Sequence, residues 1–362
     1  MHPTPSISVE HVVKSFLLVV AFVVSVTAFA QTPGGRTLDI YFIDVEGGQS
    51  TLIVFPSGQT LLVDAGYAGS GVAGSVSDPA HARDPQRILE VAKLAGVSRI
   101  DYLLVTHYHS DHVGGVPELS QLIPIGTFID HGAVNDDAER VAGTLAMYRA
   151  YAVVRGKGRH LEPKPGDRLP LKGADVTIIS TAGATVSTPL TGAVSGQTAG
   201  CPPQGSPAGE PTENPRSMGF LLQFGKFRFL DPGDLTGPPL FSLACPSDRI
   251  GPVDVYLVAH HGGGDAADPY IFRTTQPRVA ILNNGARKGA AAEALKTLHA
   301  LSGTETWQLH RSNAPSAENF ADERIANLTE ATANWLLIKA SEDGSFAVTN
   351  NRTGATTRYL AR

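Results

Sequence analysis

The sequence predicts an α/β protein built as a sandwich of two β-sheets covered by helices. Three observations carry that expectation. Glycine and proline are abundant, 38 and 25 of 362 residues, while aromatic side chains make up only 7%, a balance that suits short strands and tight turns better than long helices. Apolar runs recur at short spacing along the whole chain. Some follow one another directly as hairpins and others flank an amphipathic stretch, so meanders mix with strand–helix–strand units.

In order, strands are expected at Leu38–Ile43, Thr51–Phe55 and Thr60–Val63, a helix at Ile88–Ala95 and a strand at Ile100–Thr106. A helix at Val116–Leu122, a short strand at Thr127–Asp130 and a helix at Ala138–Val153, apolar near i, i+3 and i+4, close the first half. The second half reads as strands Val176–Ile179, Met218–Phe224, Phe227–Leu230, Val253–Ala259 and Arg278–Leu282, a helix Ala290–Leu301, and strands Thr306–Leu309, Trp335–Ile338 and Phe346–Thr349. The halves span about 38–165 and 174–350 of one domain, 31–362. Residues 181–216, rich in Gly, Pro, Ser and Thr without an apolar period, read as a flap.

Composition narrows the function. With 42% hydrophobic and 17% charged residues, disorder, collagen and coiled coil are excluded. The 29 Lys+Arg against 34 Asp+Glu give a net charge of −5 without a dense basic block, which argues against a protein that wraps a duplex. Small anionic or ester substrates and single-stranded nucleic acid stay open, and no protein partner is expected.

Lys14 precedes an apolar run, 16–30, that closes on Ala28-Phe29-Ala30. Such a run falls short of the roughly 18–20 residues that span a bilayer and reads as a signal peptide cleaved after Ala30, giving a secreted or periplasmic chain with no stable membrane anchor. In an exported chain the two cysteines, Cys201 and Cys245, are expected to form a disulfide that staples the flap.

Metal chemistry is concentrated in three segments, each following an apolar strand. In Thr106-His107-Tyr108-His109-Ser110-Asp111-His112, alternation lets His107 and His109 converge on one ion while Asp111 and His112 turn toward a second. Such N/O donors suit zinc, with manganese or iron as alternatives. Phe229-Leu230-Asp231-Pro232-Gly233-Asp234 delivers a carboxylate at a strand tip, and Val255-Tyr256-Leu257-Val258-Ala259-His260-His261-Gly262 delivers histidine.

In this order the segments resemble the metallo-β-lactamase superfamily. Phe42-Ile43-Asp44-Val45-Glu46-Gly47-Gly48-Gln49, Leu62-Val63-Asp64-Ala65-Gly66 and Glu213-Asn214-Pro215-Arg216-Ser217 are similar to its ComEC-type branch, named for the competence protein. The resemblance implies an αββα four-layer sandwich over about 38–310 and a dinuclear hydrolase with two divalent ions and a bridging hydroxide. His107, His109 and Asp234 would hold the first ion. Asp111, His112, Asp234 and one of His260 or His261 would hold the second, with His260 favoured as ligand and His261 as proton donor. Asp64 would be a buried carboxylate ordering the motif loop.

Two departures from the superfamily pattern matter. The histidine that usually completes the first site is replaced by Asn214 and Ser217, as in the ComEC branch, and His131 at a strand tip could fill the gap or meet substrate. Asn283 to Gly289 lacks the His-Pro that usually follows that segment in the branch. Asn214, Arg287, Lys288 and His310 are expected to line the substrate side, the cations binding phosphate oxygens. The expected activity is that of a phosphodiesterase or nuclease-like hydrolase, with lactone or lactam hydrolysis as the alternative and a catalytically silent metal-binding sensor as a third.

Overall fold

The computed structural model describes residues 37–69, 78–135, 143–202 and 208–362. The expected signal peptide and the start of the expected helix 138–153 lie outside the described residues. Strands β1 (Leu38–Phe42), β2 (Thr51–Val54) and β3 (Thr60–Val63) form an antiparallel meander. Helices α1 (Arg83–Leu94), α2 (Ser110–Val113), α3 (Val116–Leu122) and α4 (Thr144–Arg155) alternate with strands β4 (Ile100–Leu104), β5 (Ile125–Ile129) and β6 (Arg159–Leu161), which extend the sheet in parallel from β3.

The second sheet holds β7 (Asp175–Thr181), β8 (Ala184–Thr185), β9 (Gly219–Phe224), β10 (Phe227–Asp231), β11 (Val255–Leu257), β12 (Val279–Leu282), β13 (Glu305–His310) and β14 (Ile325–Asn327). From β10 to β14 neighbouring strands are parallel. Helices α5 (Gly237–Ser242), α6 (Pro269–Thr275) and α7 (Ala292–His299) cover it.

Side-chain alternation sorts the strands into layers. Leu61 and Val63 of β3 enter the core between the sheets, while Leu62 packs with Ile88 of α1 and Leu119 of α3 on the outer face. Val255 and Leu257 of β11 likewise face inward and Tyr256 faces the helices around Phe272 of α6. Between the sheets Phe42 and Phe229 meet edge to face at 5.8 Å. The result is a helix–sheet–sheet–helix sandwich.

One expectation fails. The chain does not divide at 165–174 into successive halves, because β15 (Leu336–Ala340) returns to pair with β1 and is followed by β16 (Phe346–Asn350) and β17 (Thr356–Tyr359) in the first sheet. The expected strand Val253–Ala259 also shortens to β11, since the backbone leaves the ladder at Val258 and turns. Among the described residues no helix is long and apolar enough to cross a membrane.

Residues 190–201 of the expected flap lie against 243–249. Leu190 N–H donates to Arg249 O at 2.9 Å, Val194 N–H to Asp248 Oδ2 at 2.8 Å and Thr198 Oγ1–H to Ala244 O at 2.6 Å. A Cys201–Cys245 disulfide joins the two runs.

The parallel strands matter most for function, because their C-terminal ends open at one edge of the sandwich. Asp64 follows β3, His107 follows β4, Asp234 follows β10, His261 follows β11 and Lys288 follows β12. Ligands of open α/β sheets bind at such carboxyl ends.

Candidate metal centre

After β4 the backbone stays extended to His109 and then turns into α2, carrying four donor side chains within six residues. Their ring orientations are set by Thr106 and Asp64. The Thr106 amide and hydroxyl both donate to Asp64, at 2.8 and 2.7 Å, so the Thr106 oxygen is left to accept from His107 Nδ1–H at 3.0 Å. His112 Nδ1–H donates to Asp64 Oδ2 at 2.7 Å. With each Nδ1 turned to these oxygens, the Nε2 atoms of His107 and His112 face the interior, where they can serve as donors to an ion.

Asp234 enters from β10 through a turn in which Gly233 N–H donates to Asp231 Oδ1 at 2.9 Å. Gln49 Nε2 donates to Asp231 from the other sheet at 2.9 Å, and burial pushes the Asp231 carboxyl up to about 7. Asp234 Oδ2 then lies 3.0 Å from His112 Nε2, 3.2 Å from His261 Nε2, 3.8 Å from His107 Nε2 and 3.9 Å from His260 Nε2. One carboxylate oxygen thus stands between two groups of imidazoles.

Beyond β11, His260 and His261 both adopt positive φ, 49° and 54°, in a tight turn. For non-glycine residues this is a sparsely populated conformation that the surroundings must impose. His260 N–H donates to Gly233 O at 3.1 Å and Ala290 N–H to His261 O at 2.8 Å, which hold the turn from both sides. His261 Nε2 points inward, 3.2 Å from Asp111 Oδ2 and 3.2 Å from His112 Nε2. His260 instead pairs its Nδ1 with Asp265 at 2.8 Å and keeps partial exposure. The favoured ligand assignment is therefore corrected: the inner position belongs to His261 and the rim to His260.

The donor set fits divalent cations. Asp111, His112, Asp234 and His261 offer one atom each, all within 4.8 Å of one another. Donors on a tetrahedral ion with bonds of about 2.0–2.1 Å stand roughly 3.4 Å apart, close to the 3.0–3.2 Å separations between these side chains. A proton can bridge only one such pair, whereas a cation satisfies all four. His107 Nε2 lies 2.9 Å from His109 Nδ1 and 3.8 Å from Asp234 Oδ2, so these three would be the donors of the expected first site. The buried Asp234 Oδ1 and His109 Nε2 have no hydrogen-bond partner among the described residues. The residues fit a dinuclear site.

Electrostatics agree. Burial alone would favour neutral carboxyls, yet Lys288 and His112 hold Asp111, and His112 and His261 hold Asp234, well below the usual carboxylate range. Burial, aided by His112 and His109, pushes His107 well down, so it stays a neutral donor. His112 is driven up against its burial by Asp234, Asp111 and Asp64. The carboxylates draw positive charge to the place a cation would take.

The remaining expected site residues separate. Lys288 Nζ donates to Asp111 Oδ2 and lies 5.9 Å over the Tyr67 ring, so it does reach the centre. Its neighbour Arg287 turns outward to Glu330, with Nε 2.8 Å from the carboxylate, and is corrected to a solvated ion pair. His310 is buried with Nε2 2.7 Å from Asp44 Oδ1, bracing the loop after β1 rather than facing substrate. His131 is buried against Tyr108 with Nε2 2.9 Å from Glu213 Oε2, so it neither fills the gap in the first site nor lines a cleft. Asn214 donates from Nδ2 to Glu210 at 3.3 Å, while its Oδ1 and the Ser217 hydroxyl are buried without a partner among the described residues.

Sequence reasoning missed Tyr67, Gln49, Asp231 and Asp265. Tyr67 directly follows the Asp64-Ala65-Gly66 turn and was findable from it, and Asp265 stands five residues from its partner His260; Gln49 and Asp231 declare themselves through a contact across the fold.

Residues 43–199 match the model of the Metallo-beta-lactamase superfamily. The fold is the metallo-β-lactamase fold. Members of that family are metal-dependent hydrolases. No curated protein matches the chain. Among solved structures, a mutant of the CmlA β-hydroxylase is 17% identical over 77% of this chain and 53% of its own, with a TM-score of 0.43. CmlA itself, a diiron β-hydroxylase from Streptomyces venezuelae, is also 17% identical, over 69% and 45%, with a TM-score of 0.37. The metallo hydrolase Igni18 from the hyperthermophilic archaeon Ignicoccus hospitalis is 12% identical over 75% and 96%, with a TM-score of 0.40. The chain spans about half the length of the CmlA chains it matches.

Proposed function

We propose that this metallo-β-lactamase-fold protein is an exported metal-dependent hydrolase of anionic esters, with phosphodiesters as its first substrate class. The observation that carries the reading is Lys288, an ammonium delivered by the turn after β12 onto the rim of the donor cluster. A neutral lactone offers this ammonium no charge to bind, whereas a phosphodiester brings a charged non-bridging oxygen. The ComEC-type resemblance of 42–49 and 213–217 points the same way. Export is supported by the leader-like run at 16–30 and by the Cys201–Cys245 disulfide, which suits an oxidising compartment.

When bound, two divalent cations supply Lewis acidity toward the ester oxygens and lower the pKa of water. The chain's own groups do the rest. Thr106 and Asp64 hold His107 and His112 with Nε2 inward. Asp234 shares one oxygen between the two imidazole groups. Lys288 binds a phosphate oxygen. His260, with Nδ1 on Asp265 and Nε2 turned to the centre, is placed to give a proton to the leaving oxygen; Asp265 and Asp234 raise its pKa against its burial.

Metal analysis coupled to a screen of bis-p-nitrophenyl phosphate, single-stranded DNA, lactones and nitrocefin tests this. Diester hydrolysis by the zinc- or manganese-loaded protein is expected. Turnover of lactone or nitrocefin alone would replace the reading with acyl hydrolysis, and metal binding without any turnover would make the protein a sensor.

A further inference from the structure

Asp111 Oδ2 is claimed twice. It is one of the four clustered donor atoms, 3.1 Å from His112 Nε2 and 3.2 Å from His261 Nε2, and the same atom accepts the hydrogen bond of Lys288 Nζ. The lysine is built in. Its stem passes over Gly47, where a Cβ would come within 2.9 Å of Lys288 Cβ and 2.8 Å of Gly285 N. Gly47 has φ +85°, so the position suits glycine twice over. The adjoining Gly48 lets the loop approach the Asp111 carbonyl, which a Cβ would meet at 2.3 Å. Tyr67 receives the ammonium over its ring face. The side chain is still 37% exposed, so it has a way out into solvent.

A dication and an ammonium on one carboxylate oxygen repel each other strongly even at the effective dielectric of a partly buried site. We propose that Lys288 competes with a divalent cation for Asp111, so that loading the four-donor site drives the ammonium off the carboxylate and into the cleft, where it meets the substrate anion. The lysine is then an internal cation that holds the site in the absence of metal and becomes an anion-binding group in its presence. Among the described residues no ammonium is bonded to the other group of donors, His107, His109 and Asp234, so the two ions bind with unequal affinity. This inference rests on the metal reading of the cluster and not on the choice of ester.

The test is titration of the metal-stripped protein with ZnCl2 or MnCl2 against a fluorescent chelator, for wild type, Lys288→Met and Lys288→Arg. Two equivalents of unequal affinity are expected for wild type, with the weaker at least tenfold tighter in Lys288→Met and unchanged in Lys288→Arg. Amine-reactive labelling of wild type, read by mass spectrometry at Lys288, should rise on adding metal, and this arm needs no variant to fold. An affinity in Lys288→Met within twofold of wild type, or weaker, would overturn the competition, as would labelling that falls with metal. Failure of the wild type to bind any metal would remove the metal reading and the competition with it.

Discussion

Asp64 Oδ2 accepts the Nδ1–H of His112 at 2.7 Å, with both side chains fully buried. The same carboxylate takes two further hydrogen bonds from Thr106, whose oxygen then orients His107. One acidic side chain at the end of β3 therefore decides the tautomer of one ligand directly and of a second through a threonine.

Asp64→Asn is expected to lower metal affinity tenfold to a hundredfold, the usual effect of removing a partner behind a ligating histidine. Chelator competition measures it, with circular dichroism to show that the fold persists. Unchanged affinity in a folded variant would show that Asp64 serves the loop and not the ligands.

His261→Ala should lose metal, and His260→Ala should retain it while losing hydrolysis. The distinction follows from the inner position of His261, 3.2 Å from both Asp111 and Asp234, against the rim position of His260 on Asp265. Asp234→Asn removes the charge shared between the two groups and should abolish metal content and activity together. Elemental analysis of the three proteins decides; metal lost from His260→Ala alone would reverse the assignment.

The disulfide closes a loop over 44 positions, for which chain entropy sets a ceiling of about 4 kcal/mol. Reduction should lower the melting temperature and expose the 190–202 strap to proteolysis, because beyond the packing of Leu190 it is held chiefly by hydrogen bonds to 244–249 and from Arg273. Alkylation without reductant should label neither cysteine, and labelling of both would remove the staple.

Asp130 supplies a pH-dependent contribution away from the metal centre. Its burial would raise the carboxyl, but Tyr151, Arg155 and the Gly132 amide outweigh burial and hold it below its ordinary value of 3.8. Because the folded pKa lies below the unfolded one, the stabilisation is fully present above about pH 4 and is lost as pH falls through the folded value. Asp130→Asn should cost about 2 kcal/mol at pH 7 and flatten the stability loss below pH 4. Denaturant melts at pH 7 and pH 3 measure both. A variant that loses stability on acidification as steeply as wild type would remove Asp130 from the acid limb.

How much was legible depends on the range over which each feature is decided. His107, His109, Asp111 and His112 share six residues at a strand-to-helix junction, so their convergence follows from local backbone geometry and can be read from spacing. The choice between His260 and His261, or between Arg287 and Lys288, cannot. Adjacent side chains diverge, and which one faces inward depends on where the strand stops. β11 ends at Leu257 and the turn beyond carries positive φ at both histidines, held by Gly233 and Ala290 from other parts of the chain.

By itself the sequence determined the layered α/β class, most strand positions and the donor inventory, because hydrophobic period and turn chemistry act over a few residues. Tertiary structure alone decided which strands are neighbours and which polar groups meet. β15 pairs with β1 from the far end of the chain, His131 finds Glu213 across 82 positions and His310 finds Asp44 across 266. An apolar pattern states that a face is buried but not against what. A buried histidine needs a hydrogen-bond partner, yet its sequence neighbourhood does not say which carboxylate the fold will bring.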